Sequence, residues 1–193
     1  MSTKQLWLLV GGNGSGKSTF YELALKPLGM PFINADLIAK ELFPDDPEAH
    51  SYQAAEIAEK MRIDHIHAGN SFCFETVFSH TSKIDFVAHA KALGYQIVMV
   101  VLHVDSTELN LARISQRVEE GGHSVPADKV AARIPRMLEN VRLAIPLCDQ
   151  VRVLDNSRLD NPFDPVLTIK GGVWTAHASP LPPWAASFIG EGA

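Results

Sequence analysis

Residues 11 to 19 read GGNGSGKST and place four glycines around one lysine and three hydroxyl side chains. Gly11 is followed by four residues and then by Gly16-Lys17-Ser18, which is the pattern of a phosphate-binding P-loop. Glycines let backbone N–H groups approach phosphate oxygens closely. In such a loop Lys17 reaches the β and γ phosphates of a nucleotide, and the Ser18 hydroxyl ligates Mg²⁺. The predicted nucleotide-binding residues are Gly11, Gly12, Asn13, Gly14, Ser15, Gly16, Lys17, Ser18 and Thr19.

The sequence on both sides of this segment fits the same interpretation. The apolar run at residues 7 to 10 is typical of a buried strand, and Phe20, Leu23 and Ala24 have helical spacing. A glycine-rich turn that contains Gly-Lys-Ser by chance would not require this context. A helix that begins at the loop also directs its N–H groups and dipole toward an anion. The sequence therefore predicts nucleotide binding between a strand and a helix.

Two acidic residues follow short apolar runs further along the chain. Asp36 comes after residues 31 to 34, and Glu75 comes after residues 71 to 74. If these runs are parallel strands, both carboxylates lie at the ligand-binding edge of the sheet. Asp36 has two interpretations, as a helix cap or as a general base that accepts the proton of an attacking hydroxyl. For Glu75 we favour contact with substrate or Mg²⁺ over a purely structural role, because burying an unpaired carboxylate is costly.

A pair of arginine-bearing segments lies in the second half of the chain. Arg113 and Arg117 are four residues apart, on one face of a predicted helix, and Arg133 and Arg136 lie on the next. Gly121-Gly122 separates the two helices and resembles a hinge. The arrangement predicts a lid that brings positive charge onto a transferring phosphate, although a solvated helix face balanced by glutamates has the same pattern.

Apolar runs alternate with helical periods along the chain and predict one α/β domain with a P-loop NTPase or kinase fold. The tail has two short strand-like runs, at residues 165 to 170 and 172 to 175, around Gly171-Gly172, followed by a short helix near residues 184 to 189. We expect this tail to form a small hairpin and helix that pack on the same domain. The five predicted strands of the main sheet lie at residues 5–10, 31–34, 71–76, 95–104 and 150–154.

Composition excludes several classes of protein. Among 193 residues the net charge is -5, and the 17 basic residues form no dense run, so we expect no nucleic-acid partner. Cys73 and Cys148 are too few for a disulfide framework or a zinc motif and indicate a reducing, cytoplasmic location. We expect no signal peptide and no membrane segment.

The combination of GGNGSGKST, NADLIA, FETVFS and RVEEGGHSVP resembles the zeta toxin family of P-loop kinases. The similarity runs from the P-loop through residues 155 to 157. Zeta toxins are ATP-dependent, Mg²⁺-requiring kinases that phosphorylate a hydroxyl of UDP-N-acetylglucosamine. The resemblance implies a five-stranded parallel sheet in the order 2-3-1-4-5, a kinase domain at residues 1–157 with a lid at about 113–136, and an extension at 158–193. It also implies an antitoxin as a possible protein partner.

The same resemblance assigns roles to individual residues. Asp36 resembles the catalytic base, Glu75 and Thr76 resemble the substrate-contacting pair, and Arg117 resembles the first lid arginine. The spacing to Pro126 places the second lid arginine of the family at His123 in this sequence. The region after Asp36 departs from the toxins. The neighbouring cations that can replace the second lid arginine are Arg113, Arg133 and Arg136.

Two further functions fit the sequence. A P-loop kinase can act on another metabolite, an antibiotic hydroxyl or a nucleoside, and GTP can replace ATP as the donor. A nucleotide-binding switch or ATPase would instead act through a protein partner. No DxxG switch element follows a predicted strand, which favours the kinase.

Overall fold

The computed structural model describes residues 3–119 and 126–189, and its central feature is a sheet of seven strands in the order β2-β3-β1-β4-β5-β6-β7. Strands β1 to β5 are parallel, and β6 and β7 are antiparallel additions at one edge. The strands are β1 (Gln5–Val10), β2 (Phe32–Ile33), β3 (Phe72–Thr76), β4 (Gln96–His103), β5 (Gln150–Asp155), β6 (Asp164–Lys170) and β7 (Val173–Ala176).

Helices connect the parallel strands. The first one, α1, begins at Lys17 and continues through a wider turn, Tyr21–Leu25, and a tight turn, Lys26–Leu28. It ends at Gly29, whose φ of 69° suits a helix C-terminus. The helices are α1 (Lys17–Phe20), α2 (Ala35–Leu42), α3 (Ser51–Ala68), α4 (Ser82–Ala92), α5 (Thr107–Glu119), α6 (Ala127–Ala144) and α7 (Pro183–Ala186).

The strand count corrects the predicted five-stranded sheet, although the parallel strands do have the order 2-3-1-4-5. The tail does form a hairpin, with Gly171 and Gly172 at φ values of 57° and 80° in its turn. Strand β6 pairs with β5 along its length and so extends the main sheet. This pairing satisfies backbone groups that β5 would otherwise expose at the sheet edge. The sequence shows the hairpin but not the strand beside which it lies.

The sheet buries apolar side chains on both faces because strand residues alternate in direction. On one face, Leu8, Phe74 and Met99 pack under α3, α4, α6 and α7. On the other face, Leu9 and Val100 pack under α1 and the turn that follows it. Strand β4 is buried along almost its whole length, as expected for a central parallel strand.

The linker between α5 and α6 contains the predicted Gly121-Gly122 hinge and His123, and it lies outside the described residues. Helix α6 begins directly after Pro126, which is its N-cap residue. In the part of the chain that the structure describes, no helix is both long and apolar enough to span a membrane.

Candidate functional site

The P-loop connects β1 to α1 at the carboxyl edge of the parallel strands. Gly14 and Gly16 have φ values of 76° and 93°, which glycine adopts without strain. A Cβ atom at Gly14 would lie 2.8 Å from the carbonyl oxygen of Asn110, and one at Gly16 would overlap the side-chain amide of Asn156. The loop is therefore compressed between α5 and the end of β5, and glycine is required at both positions.

Lys17 is buried inside the loop, with 8% of its surface exposed. Its Nζ donates hydrogen bonds to the carbonyl oxygens of Gly11, at 3.0 Å, and Gly12, at 2.9 Å. The backbone thus holds the ammonium group at a fixed position in the loop.

Ser18 and Glu75 bring two oxygen ligands together at the start of α1. The Ser18 hydroxyl donates a hydrogen bond of 2.8 Å to Oε2 of Glu75. Glu75 is the fourth residue of β3 and pairs in register with Leu9 of β1, so the sheet itself positions its carboxylate beside the loop. A hydroxyl and a carboxylate at this distance match the ligand preference of Mg²⁺. Burial, reinforced by the nearby Glu75 carboxylate, raises the pKa of the Cys73 thiol.

These two residues fit the metal that the motif implies. Within the described residues, no three His, Cys, Asp or Glu side chains converge on one point. Mg²⁺ commonly takes one or two protein ligands and completes its octahedron with water and substrate phosphates. Ser18 and Glu75 would supply the protein part of such a site.

Asp36 lies in the first turn of α2, and the helix cap is Asn34. Oδ1 of Asn34 accepts hydrogen bonds from the backbone N–H groups of Asp36, at 2.7 Å, and Leu37, at 3.2 Å. Asn34 is buried, whereas Asp36 is exposed. The N-cap of this helix is therefore Asn34 and not Asp36, because the Asn34 side chain accepts from two N–H groups of the first turn. The role of Asp36 as a base stays a prediction.

Asn156 is a functional candidate that sequence reasoning did not identify. Its Nδ2 donates to the carbonyl oxygen of Ser15 at 2.9 Å, and its Oδ1 accepts from the N–H of Phe163 at 3.3 Å. Its own carbonyl oxygen accepts from Nη1 of Arg113 at 2.8 Å. One buried residue therefore joins the P-loop, α5 and the segment after β5. The signal that was available is a polar Asp-Asn-Ser stretch directly after an apolar strand.

A cavity of about 400 Å³ opens beside the P-loop, which is within the size range of small-molecule sites. Part of its wall is apolar and comes from the segment between β5 and β6, where Phe163 packs edge-on against Phe20 with ring centroids 5.5 Å apart. Another part carries positive charge from α5 and from the same segment. The lining residues are Gly14, Gly16, Lys17, Ser18, Thr19, Leu23, Glu75, Arg113, Gln116, Asn156, Arg158, Leu159, Pro162 and Phe163.

The structure brings together only some of the predicted lid and substrate residues. Arg113 lines the cavity, whereas Arg133 and Arg136 are not among its described lining residues. The Nε of Arg136 donates to the carbonyl oxygen of Ala132 in its own helix. Arg117 lies in α5, but its side chain is outside the described part of the chain. The Thr76 hydroxyl accepts a hydrogen bond from the N–H of Phe78 at 2.9 Å.

Residues 6–144 match the model of an AAA domain (AAA_33). A Haemophilus influenzae protein described as uncharacterized is 31% identical over 140 residues, which are 69% of this chain and 99% of that protein. The AAA-domain match over residues 6–144 includes the P-loop, the two carboxylates at the sheet edge and both arginine-bearing helices.

Two solved structures share the fold over most of this chain. A chain of the AvrRxo1-ORF1:-ORF2 complex with ATP has a TM-score of 0.75 at 18% identity and covers 96% of this chain. This chain spans 64% of the length of that protein. The PezAT toxin-antitoxin system of Streptococcus pneumoniae has a TM-score of 0.67 at 17% identity and covers 94% of this chain and 77% of its own. These similarities show a P-loop kinase-like α/β fold.

Proposed function

This chain belongs to the AAA domain family, and we propose that it is a phosphotransferase that moves the γ phosphate of ATP to a hydroxyl group of a small molecule. The observation that carries the proposal is the hydrogen-bonded pair of Ser18 and Glu75, which lies beside the buried ammonium group of Lys17. A hydroxyl, a carboxylate and a cation around one phosphate-sized loop are the parts that phosphoryl transfer requires.

The cavity supports nucleotide binding in one orientation. The phosphates would lie on the N–H groups of the loop, and the base would face the apolar wall formed by Leu159, Pro162 and Phe163. Arg113 and Arg158 also line this cavity. An aromatic and apolar wall with a few polar groups is typical of nucleotide pockets. We propose ATP as the donor, with GTP as the alternative.

Ser18 and Glu75 would hold Mg²⁺, which when bound neutralises negative charge on the transferring phosphate. Lys17 would stabilise the same charge from inside the loop. Asp36, which is exposed and not used as a cap, would accept the proton of the attacking hydroxyl. Arg117, with a second cation from Arg113, His123, Arg133 or Arg136, would close over the phosphates. Positioning and charge stabilisation would supply most of the acceleration.

We propose UDP-N-acetylglucosamine as the first acceptor to test. The support is the resemblance of the four sequence motifs to the zeta toxins, in which Glu75 and Thr76 would contact the sugar nucleotide. An antitoxin partner belongs to the same proposal, because both structural relatives named above were solved as two-component systems. Other hydroxyl compounds, including metabolites, antibiotics and nucleosides, are the alternative acceptors.

The test is a phosphoryl-transfer assay with Mg-ATP and UDP-N-acetylglucosamine, in which the product mass is read directly. We expect the wild type to add one phosphoryl group and Asp36→Asn to be slower by ~10² to 10⁴. Asp45→Asn is the matched control, because this aspartate is also exposed and lies in the turn after α2. Asp36→Asn at wild-type speed would remove the base assignment.

If the assay yields no phosphorylated sugar nucleotide, further measurements distinguish a kinase for another substrate from a nucleotide-binding switch. If nucleotide binds but no sugar product forms, the same assay with the alternative acceptors separates a kinase for another substrate from a switch. A switch would hydrolyse ATP at a rate that no acceptor changes and would retain a protein partner only in its ATP state. That result would overturn the phosphotransferase proposal.

A further inference from the structure

Arg62 occupies a position on α3 that helical spacing assigns to the core. Ala54, Ala58, Arg62 and Ile66 recur at intervals of four residues, and all four are buried. Only 8% of the surface of Arg62 is exposed. Burying a cation costs free energy unless a partner compensates for the lost hydration.

The contacts of Arg62 compensate for only part of this cost. Its guanidinium carbon lies 5.1 Å from the ring centroid of Phe74 and 5.8 Å from that of Phe86. These rings attract the positive charge, but the N–H donors of a guanidinium lie in its own plane and require oxygen acceptors. Across the described residues Arg62 has no hydrogen bond and no ion pair, and its Nε is shielded from solvent without a partner.

Lys83, near the start of α4, is a half-buried cation whose charge interacts with that of Arg62. Its burial lowers the pKa of its ammonium group, and the charge of Arg62 lowers it further. Burial also lowers the pKa of Arg62. Glu59 attracts both cations, yet among the described side chains it forms no ion pair with either. Two like charges in a partly desolvated place favour an added anion.

This pair lies beside the strand that carries the predicted acceptor contacts. Side chains alternate along β3, so Phe74 and Thr76 share one face while Glu75 points to the other, toward Ser18. Arg62 lies over the ring of Phe74, and Phe74 and Thr76 are two residues apart along the strand, roughly 7 Å. The cations and the P-loop helix lie on opposite faces of the sheet, near its carboxyl edge.

We propose that Arg62 and Lys83 bind a phosphate or carboxylate group of the molecule that accepts the phosphoryl group, an inference that rests on the proposed function. The planar guanidinium would bind two oxygens in a bidentate manner, and the ammonium would add a point charge. The substrate class would then be a hydroxyl compound that already carries a negative charge, such as a nucleotide sugar, a sugar phosphate or a hydroxy acid.

The test observes the Nε–Hε signal of Arg62 by NMR, because that group is shielded and unpartnered. Protein labelled with ¹⁵N is saturated with Mg²⁺ and a non-hydrolysable ATP analogue, so that the P-loop is occupied. Inorganic phosphate and acetate are then titrated separately. We expect the Arg62 signal to move saturably with at least one of these anions, which identifies the anion class.

Two variants and one control make the result specific. Lys83→Gln should weaken the binding about tenfold, because it removes one charge-assisted contact. Lys60→Gln on the exposed face of α3 should leave it unchanged. The control signal is that of Arg152, which lies over the ring of Trp7 at 5.6 Å and should not saturate. If Arg62 does not move with either anion, or moves only as Arg152 does, the proposal is wrong.

The NMR titration does not depend on turnover, so it separates this inference from the phosphotransferase proposal. If the protein transfers phosphate but its Arg62 signal does not respond to anions, only the anion site is overturned. A responsive Arg62 in a protein without transfer would overturn the kinase role but keep the site. If both hold, kcat/KM for the acceptor that the transfer assay identifies should fall about tenfold in Lys83→Gln.

Discussion

Lys17 and Arg62 are both buried cations near the carboxyl edge of the sheet, but the chain compensates them in different ways. Lys17 donates to the carbonyl oxygens of Gly11 and Gly12. Arg62 lies over the rings of Phe74 and Phe86 and donates to no oxygen among the described residues. The first environment is polar and built from backbone, whereas the second is apolar and built from side chains.

The fold gives the ammonium group of Lys17 its hydrogen-bond acceptors, whereas the Nε of Arg62 has none among the described residues. Backbone carbonyl groups cannot be changed by substitution, so Lys17 is held wherever the loop forms. Aromatic faces accept a cation but leave its N–H groups unused. We therefore expect removal of Lys17 to affect ligand chemistry strongly, and removal of Arg62 to affect the fold little.

The largest effect should come from Lys17→Met. This change removes two charge-assisted hydrogen bonds and the cation that would contact phosphate, so we expect the affinity for ATP to fall by roughly 10²-fold or more. Calorimetric titration with a non-hydrolysable ATP analogue measures this change. Lys26→Met is the control, because Lys26 is exposed and forms an ion pair with Glu22 away from the loop. An unchanged affinity in Lys17→Met would place the phosphates elsewhere.

Gly16→Ala tests the fixed geometry of the loop around Lys17. The new Cβ would overlap the Asn156 amide and would occupy a φ of 93°. We expect the free energy of unfolding to fall by about 2 to 4 kcal/mol, from a strained φ and a disrupted buried hydrogen bond.

Gly29→Ala provides the matched control for this substitution. Gly29 also has a positive φ, of 69°, but nothing lies within 4 Å of its added Cβ. It should lose only about 1 to 2 kcal/mol. Urea unfolding measures both variants, and equal losses would show that contact with Asn156 contributes nothing.

Arg62→Met should have a small effect on stability. Methionine fills a similar volume between the rings without a charge to desolvate, so the free energy of unfolding should change by less than about 1.5 kcal/mol in either direction. Urea unfolding of this variant beside Phe74→Ala, which should lose about 3 to 5 kcal/mol, tests the expectation. A loss as large as that of Phe74→Ala would show that the guanidinium is structural.

The smallest effect concerns a third buried base, His103, which packs against Trp184 with ring centroids 4.3 Å apart. Burial lowers its pKa below the ordinary value of 6.5, against the opposing influence of Asp105 and Asp155. The unfolded chain therefore binds a proton more readily than the folded chain. The contribution of His103 to the free energy of unfolding is complete above pH 6.5. It is lost as the pH falls below that value, by at most about 1.4 kcal/mol per pH unit.

His103→Phe should remove this dependence, because phenylalanine keeps a ring against Trp184 but does not titrate. Urea unfolding at pH 7.5 and pH 5.5 gives the comparison, with His80→Gln as a control at an exposed site. A wild type and a His103→Phe variant that lose the same stability between these pH values would contradict the assignment. The three buried basic side chains thus differ in their environment. Carbonyl oxygens surround the charge of Lys17, aromatic rings face the charge of Arg62, and burial favours the neutral form of His103.

The P-loop and the parallel strands could be predicted because their signals are local. Gly11 to Ser18 are close in sequence, and apolar runs with turns between them predict strands without knowledge of the fold. The position of Glu75 beside Ser18 also followed, since parallel strands end at the same edge. The pairing of β6 with β5 could not be predicted, because strand neighbours are chosen by contacts distant in sequence.

The roles of Asn156 and Arg62 also depend on distant contacts. Nothing near Asn156 in the sequence indicates that its amide contacts Ser15. The four-residue spacing on α3 is visible, but an arginine in that spacing is equally consistent with a helix that turns its charged side to solvent. Only the position of Phe74 and Phe86 shows that the side chain points inward.

The hydrogen bond from Asn156 to Ser15 spans 141 positions of the chain. A ribosome makes the glycine loop well before Asn156, so the amide that fixes the loop emerges only after β5 has been made. Contacts this remote form late, because the loop-closure entropy must be overcome first. During synthesis the nascent chain would therefore be inert toward nucleotide until the five parallel strands have been made, so nucleotide binding would report the assembly of that part of the sheet.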